Sequence, residues 1–127
     1  MLKAKTKNIS IVLYKPKYAG NIGSVARAAK NMGIGNIIVV GTNGFNHEEM
    51  RQRSTHLAAD VLDKINYVEN AQEALGGFNY IVGTTARLGK ARGPFISPRA
   101  VACDIADAHV FRGARNRTDI PRIFWFI

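Results

Sequence analysis

Tyr18-Ala19-Gly20-Asn21-Ile22-Gly23-Ser24-Val25-Ala26-Arg27-Ala28-Ala29-Lys30-Asn31-Met32-Gly33, preceded by the mostly apolar run from Ile9 to Leu13, decides the fold. A β-rich run handing over to a helical pattern opens an α/β unit, and open α/β sheets place their chemistry where strand gives way to helix. Ile22, Val25, Ala26, Ala29 and Met32 recur at helical spacing, which predicts the buried face. Gly20 and Gly23 predict a tight turn lying close to a ligand, and Gly33 a stop just past the helix end. Arg27 falls off the apolar stripe, about a turn and a half in from Asn21, and its side chain is expected to reach back toward the strand ends. Asparagine before a helix is more often a cap, and arginine on one a solvated face, so spacing alone assigns no function.

Outward from this unit the alternation continues. Asn36 to Val40, bounded by Gly35 and Gly41, reads as a buried parallel strand. A second helix is predicted from Glu48 to about Leu62, with Leu57, Ala58 and Val61 as its apolar contributions. Ile65 to Val68 reads as a short exposed strand. Asn70 followed by Glu73 has the form of a capping box for a helix ending near Leu75, which Gly76 and Gly77 stop. Phe78 to Val82 is the next strand, and Ser97-Pro98 reads as cap and first residue of a helix to about Ala108. Strands alternating with helices over short loops predict one α/β domain over residues 1–127, a Rossmann-like parallel sheet with helices on both faces.

The formal net charge of +9 points to a polyanionic partner, with nucleic acid first. No Asp or Glu occurs before Glu48, and none lies between Glu73 and Asp104. The acid-free stretches carry Lys3, Lys5, Lys7, Lys15, Lys17, Arg27 and Lys30, then Arg87, Lys90, Arg92 and Arg99; if strand ends bring them together, one sheet edge is suited to phosphates. Too few aromatics lie among them to predict a single-strand stacking platform. Cys103, beside Val101, Ala102 and Ile105, reads as a small buried hydrophobe and excludes an internal disulfide. His47, His56 and His109 lack the spacing of a zinc helix, which argues against metal catalysis. No run approaches a membrane span, so a cytoplasmic chain is expected.

Small hydroxyl residues in Gly83-Thr84-Thr85-Ala86-Arg87 leave the strand before them with amides and oxygens for a polar ligand. Neither a P-loop nor a dinucleotide G-x-G-x-x-G follows the apolar strands, and a G-x-S-x-G elbow is absent. Taken together, Gly20-Asn21-Ile22-Gly23-Ser24-Val25-Ala26-Arg27-Ala28 with Met32-Gly33, then Ile81-Val82-Gly83-Thr84-Thr85-Ala86-Arg87, then Pro94-Phe95-Ile96-Ser97-Pro98-Arg99 resemble the SpoU-type RNA 2′-O-methyltransferases of the SPOUT superfamily, most closely their tRNA-modifying, TrmJ-like branch.

The resemblance implies methyl transfer from S-adenosylmethionine to a ribose 2′-hydroxyl of RNA, with tRNA as substrate, in a homodimer whose cofactor pocket is a C-terminal trefoil knot. It implies Asn21 and Arg27 as catalytic residues and Gly83, Thr84, Thr85, Arg87 and Phe111 on the cofactor side; the charge distribution adds Lys15, Lys17, Lys30, Lys90 and Arg92 as candidates to meet the RNA. A guanidinium is a poor base, since its pKa lies above about 12. The expectation is therefore that Arg27 grips the substrate phosphate and stabilises the developing alkoxide while Asn21 orients it.

The family's second motif, roughly Val-Phe-Gly-x-Glu-x-x-Gly-Leu-Thr, is matched by Val110-Phe111; in Arg112-Gly113-Ala114-Arg115-Asn116-Arg117-Thr118-Asp119 after it, Gly113-Ala114 and Thr118 match only with an insertion, the Glu position is Arg115 or lost, and the Gly-Leu pair is missing. Residues 1–111 read as family-like and 112–127 as a divergent tail. Most of the knot and the last helix are then missing from the sequence, which is the expectation for a truncated or frame-disrupted member. Ile123-Phe124-Trp125-Phe126-Ile127 is left as an apolar edge, exposed or repacked. Two further readings stand beside the enzyme: a catalytically inactive RNA-binding remnant of that family, and a small α/β domain binding a phosphorylated metabolite.

Overall fold

Five parallel strands form one sheet in the order β3-β2-β1-β5-β4, where β1 is Ile9–Tyr14, β2 Asn36–Val40, β3 Asn66–Val68, β4 Tyr80–Gly83 and β5 Ile123–Phe126. The computed structural model describes residues 6–41, 44–78, 80–84, 96–112 and 123–126. The side-chain period of two splits each strand between faces. Ile11, Leu13, Ile37 and Val39 form one cluster with Ile22, Ala26 and Ala29 of α1 (Ala19–Asn31), Met50 of α2 (His47–Ser54), and Val61 and Leu62 of α3 (Ala59–Asp63). Val12 and Val40 point the other way, onto Ala74 and Leu75 of α4 (Ala71–Leu75) and onto Phe78. Helix α5 (Pro98–Arg112) lays Val101 and Ile105 on Ile9, Tyr80 and Val82; Ile34 packs against both this cluster and the one beneath α1. Helices therefore cover both faces, with α4 alone on the second among the described residues. Ile22, Ile37, Met50, Val12, Val39 and Val40 are fully buried, each contributing about 1.5–3 kcal/mol of apolar transfer.

Three starts and stops follow the sequence closely. Asn70 Oδ1 accepts from the Glu73 amide at 2.8 Å, and Ser97 Oγ accepts from the Ala100 amide at 3.2 Å. At the end of α1, Gly33 adopts φ +72; its N–H donates to Lys30 O at 3.1 Å, and that of Ile34 to Ala29 O at 2.8 Å. This paired closure satisfies the last carbonyls and turns Ile34 into the core.

Elsewhere the structure corrects the sequence reading. Gly20 and Gly23 lie inside α1 rather than in a turn before it. A Cβ on Gly23 would fall 2.1 Å from Met50 O and 3.0 Å from Arg53 Cβ, so the glycine is there to let α1 and α2 touch. Met32 is 69% exposed because it caps the helix, and the αL turn after it gives its expected apolar role to Ile34. The long second helix is broken at Thr55, whose φ of 67° and ψ of 164° separate α2 from a 3-10 turn at His56–Ala58 and from α3. Cys103 is exposed, because it stands two residues, or about 200°, from both Val101 and Ile105, the α5 residues that meet the sheet. The apolar tail is not a loose edge: Ile123–Phe126 enters the sheet between β1 and β4, with Ile9 paired to Ile123 and Tyr80 to the same residue from the other side.

Candidate nucleic-acid and cofactor site

Strand order reverses at β1: the chain moves outward through β2 and β3, then crosses to the far side of β1 for β4. In parallel sheets the crevice beyond the carboxyl ends of the strands at such a point is where ligands bind. Both halves of the expected site open onto this edge. Val12 and Gly83 are level across β5, each paired with Phe126, so the exit of β1 and the exit of β4 are two strand spacings, about 10 Å, apart.

Asn21 is the third residue of α1, whose first turn is closed by its own amide donating to Tyr18 O at 3.1 Å. Its side chain lines a groove of about 280 Å³ with Leu13, Pro16, Ser24 and Val25, and has no hydrogen-bond partner among the described residues. Ser24 Oγ donates back to Gly20 O at 3.1 Å, which leaves the asparagine as the amide donor and acceptor presented there. At β4, no atom of the described residues lies within 4 Å of a Cβ built on Gly83, and Thr84 follows.

Arg27 is elsewhere. Six residues past Asn21 it is rotated by about 240° and displaced by about 9 Å along the axis. It lines a second groove with Lys30, Asn31, Thr55, His56, Leu57 and Ala58, and does not reach back to the strand ends as the spacing suggested. Within one chain the two expected catalytic residues face different grooves. Nor is Lys30 a free cation: its Nζ donates to Asp60 Oδ2 at 2.7 Å and holds that carboxyl below the usual carboxylate range. Phe111 lies in the last turn of α5, which runs on past Ala108 to Arg112. Thr85, Arg87, Lys90 and Arg92 lie outside the described residues.

Four further lysines divide between the two ends of the sheet. Lys7 and Lys64 stand at the amino ends of the strands, around a polar cavity with Asn8, Asn36 and Asn66. Lys15 and Lys17 stand at the carboxyl edge, exposed, immediately before α1. Lys15 is legible in the sequence as a charge but not as a conformation. It takes φ 46°, its amide donates to Val40 O at 2.8 Å, and its stem lies across Gly41. No group of three or more His, Cys, Asp or Glu gathers among the described residues, and none of their helices is long and apolar enough to cross a membrane.

The profile of the SpoU rRNA Methylase family matches residues 8–97. The chain is 37% identical over 94 residues to the tRNA (cytidine/uridine/adenosine-2′-O-)-methyltransferase TrmJ of Pseudomonas aeruginosa, covering 74% of this chain and 36% of that protein. It is 32% identical over 81 residues to the tRNA (cytidine-2′-O-)-methyltransferase TrmJ of Methanocaldococcus jannaschii, covering 64% and 35%. It thus spans about a third of the length of these curated relatives. Among solved structures, a probable methylase family protein from Haemophilus influenzae superposes with a TM-score of 0.72 at 27% identity, over 96% of this chain and 47% of the other. TrmJ from Z. mobilis shares the fold, with a TM-score of 0.70 at 21% identity over 93% and 57%.

Proposed function

The chain belongs to the SpoU rRNA Methylase family, and from that premise we propose that it takes part in methylation of a ribose 2′-hydroxyl of RNA, with tRNA as the substrate and S-adenosylmethionine as the methyl donor. The observation that carries the reading is the shared carboxyl edge, where the Asn21 groove and the exit of β4 at Gly83 and Thr84 open side by side. Among the described residues nothing stands within 4 Å of a Cβ built on Gly83, which leaves room for an adenosyl group beside that strand end. When bound, S-adenosylmethionine supplies an electrophilic methyl group on a sulfonium centre.

What falls to the protein is alignment and the fate of one proton. Asn21 has both an amide donor and a carbonyl acceptor, so its carbonyl can accept a hydrogen bond from the 2′-hydroxyl and fix the direction of that oxygen's lone pairs. Arg27 offers a fork of N–H donors and no acceptor, so its role is to grip phosphate and to stabilise negative charge as it develops on the oxygen. The proton then passes to water at the open edge. The reading carries a homodimer as well, since a second copy is what would bring Arg27 to the strand edge that Asn21 faces. Lys15 and Lys17 flank the same edge and serve the RNA backbone.

Unmodified tRNA incubated with the chain and methyl-labelled S-adenosylmethionine, then hydrolysed in alkali, tests the reading. Label is expected in alkali-resistant dinucleotides, because a 2′-O-methyl group blocks cleavage of the next phosphodiester. Label released only as mononucleotides, or none in the RNA, refutes it.

A further inference from the structure

On the face of the sheet that α4 covers, Val12, Val40 and Val68 pack beneath that helix toward the carboxyl ends of their strands. Nearer the amino ends the same face turns polar. Ser10 of β1 lies level with Asn36 of β2, and Asn66 of β3 lies level with Ile38; the side-chain period of two puts all three on the valine face. With Lys7, Asn8 and Lys64 they surround a cavity of about 390 Å³, within the ~300–1,000 Å³ of small-molecule sites.

Buried polar groups are ordinarily hydrogen-bonded, and two in this wall are not. Ser10 is 7% exposed, yet no hydrogen bond satisfies its hydroxyl among the described residues. Asn8 Nδ2 is shut from solvent and has no acceptor among them either, so a small turn of its amide would present a spare donor to the cavity. The charge is of one sign, because no acidic side chain lines the cavity. Asp63, next to Lys64 in sequence, is turned to Arg51 at 3.7 Å, and neither Lys7 nor Lys64 forms an ion pair among the described residues. Asn36 Nδ2 donates to Lys7 O at 3.4 Å, which ties the Lys7 backbone to the start of β2.

We propose that this cavity binds a phosphate monoester, with Lys7 and Lys64 meeting its two negative charges while Ser10, Asn8, Asn36 and Asn66 donate to its oxygens. Lysine ammoniums serve phosphate as point charges, and a single carboxylate would leave one of the two cations without a partner. The volume leaves room for a sugar-sized group beside the phosphate. The cavity lies at the opposite end of the sheet from Asn21 and Gly83, so it stands or falls separately from the reading of the substrate as RNA. A free sugar phosphate and the 5′-phosphate of an RNA both carry this chemistry.

Nitrogen-15 spectra of the whole chain, recorded at constant ionic strength as ribose 5-phosphate is added, test the proposal. Saturable shifts are expected at Asn8, Ser10, Asn36 and Asn66, with ribose producing none. Lys64→Gln should weaken the phosphate about tenfold, whereas Lys17→Gln, an equal change of net charge at the other end of the sheet, leaves its affinity within about twofold. An oligonucleotide that gives the same shifts only when it is 5′-phosphorylated identifies RNA as the source, and shifts with ribose 5-phosphate alone identify a free metabolite. Shifts that do not saturate, that ribose reproduces, or that Lys17→Gln diminishes as much as Lys64→Gln overturn the site and leave only a basic surface.

Discussion

Replacing Gly23 by alanine should loosen the whole face of the protein that carries the first helix. A Cβ there would sit 2.1 Å from Met50 O and 3.0 Å from Met50 C. An ordinary carbon-to-carbonyl contact is about 3.3–3.6 Å, so α1 and α2 must part by roughly 1 Å. The obstacle is backbone, which cannot rotate away, and Met50 and Ile22 beside it are fully buried. Overpacking of this kind costs about 1–3 kcal/mol, and the rigid neighbour puts it at the upper end. Against that, alanine gains about 1 kcal/mol of helix propensity over glycine. The net loss of about 2 kcal/mol corresponds to a fall in Tm of roughly 6–10 °C for a chain of this size. Gly20→Ala is the control, because its new Cβ meets only side-chain atoms of Arg53 and Glu49, at 3.3 and 3.4 Å. It should leave Tm unchanged or raise it. Thermal unfolding followed by circular dichroism reads both, and a Gly23→Ala variant within about 2 °C of the wild type would falsify the packing role assigned to that glycine.

Thr55 holds φ 67° with ψ 164°, a region open essentially to glycine, so Thr55→Gly should raise stability by about 1 kcal/mol in urea titration, strain relief of about 1–3 outweighing the glycine entropy. Asp60 is held below the usual carboxylate range first by the hydrogen bond from Lys30; its contribution is present above the unfolded value near 4 and lost as pH falls through the folded one. Lys30→Ala should therefore flatten the acid limb of the stability profile slightly, as expected of an exposed pair. Burial raises the Tyr67 phenol, so its contribution is full below the unfolded value of about 10 and is lost as pH climbs through the folded one; Tyr67→Phe should remove that alkaline loss. If Asn21 and Arg27 act on one ribose from different copies, mixing Asn21→Ala and Arg27→Ala proteins should restore methyl transfer to as much as a quarter of wild type, whereas mixing restores nothing if both act within one chain.

Most of the layer architecture is legible in the sequence because strands buried on both faces read as short apolar runs and caps have local chemistry. The caps at Asn70 and Ser97 and the stop at Gly33 are such local signals. What misleads is any residue whose role depends on another element. Gly23 reads as a turn former until Met50 is placed against it, and Cys103 reads as buried until α5 is docked by Val101 and Ile105. The tail strand Ile123–Phe126 has apolar character but no local signal for its place between β1 and β4. At the site, Asn21 and Gly83–Thr84 come to one edge as their strand-end positions require, because parallel strands all exit on the same side. Arg27 does not, since six residues of helix turn it away from Asn21.

Backbone amide spectra of the uniformly nitrogen-15-labelled chain, recorded as S-adenosylmethionine is added, test most directly whether the carboxyl edge is where the methyl donor meets the ribose. Shifts concentrated at Gly83, Thr84, Asn21 and Ser24, with Lys7, Asn36 and Asn66 at the opposite end unmoved, are the predicted result. Saturable shifts confined to the opposite end, or no saturable shift at the carboxyl edge, would contradict it.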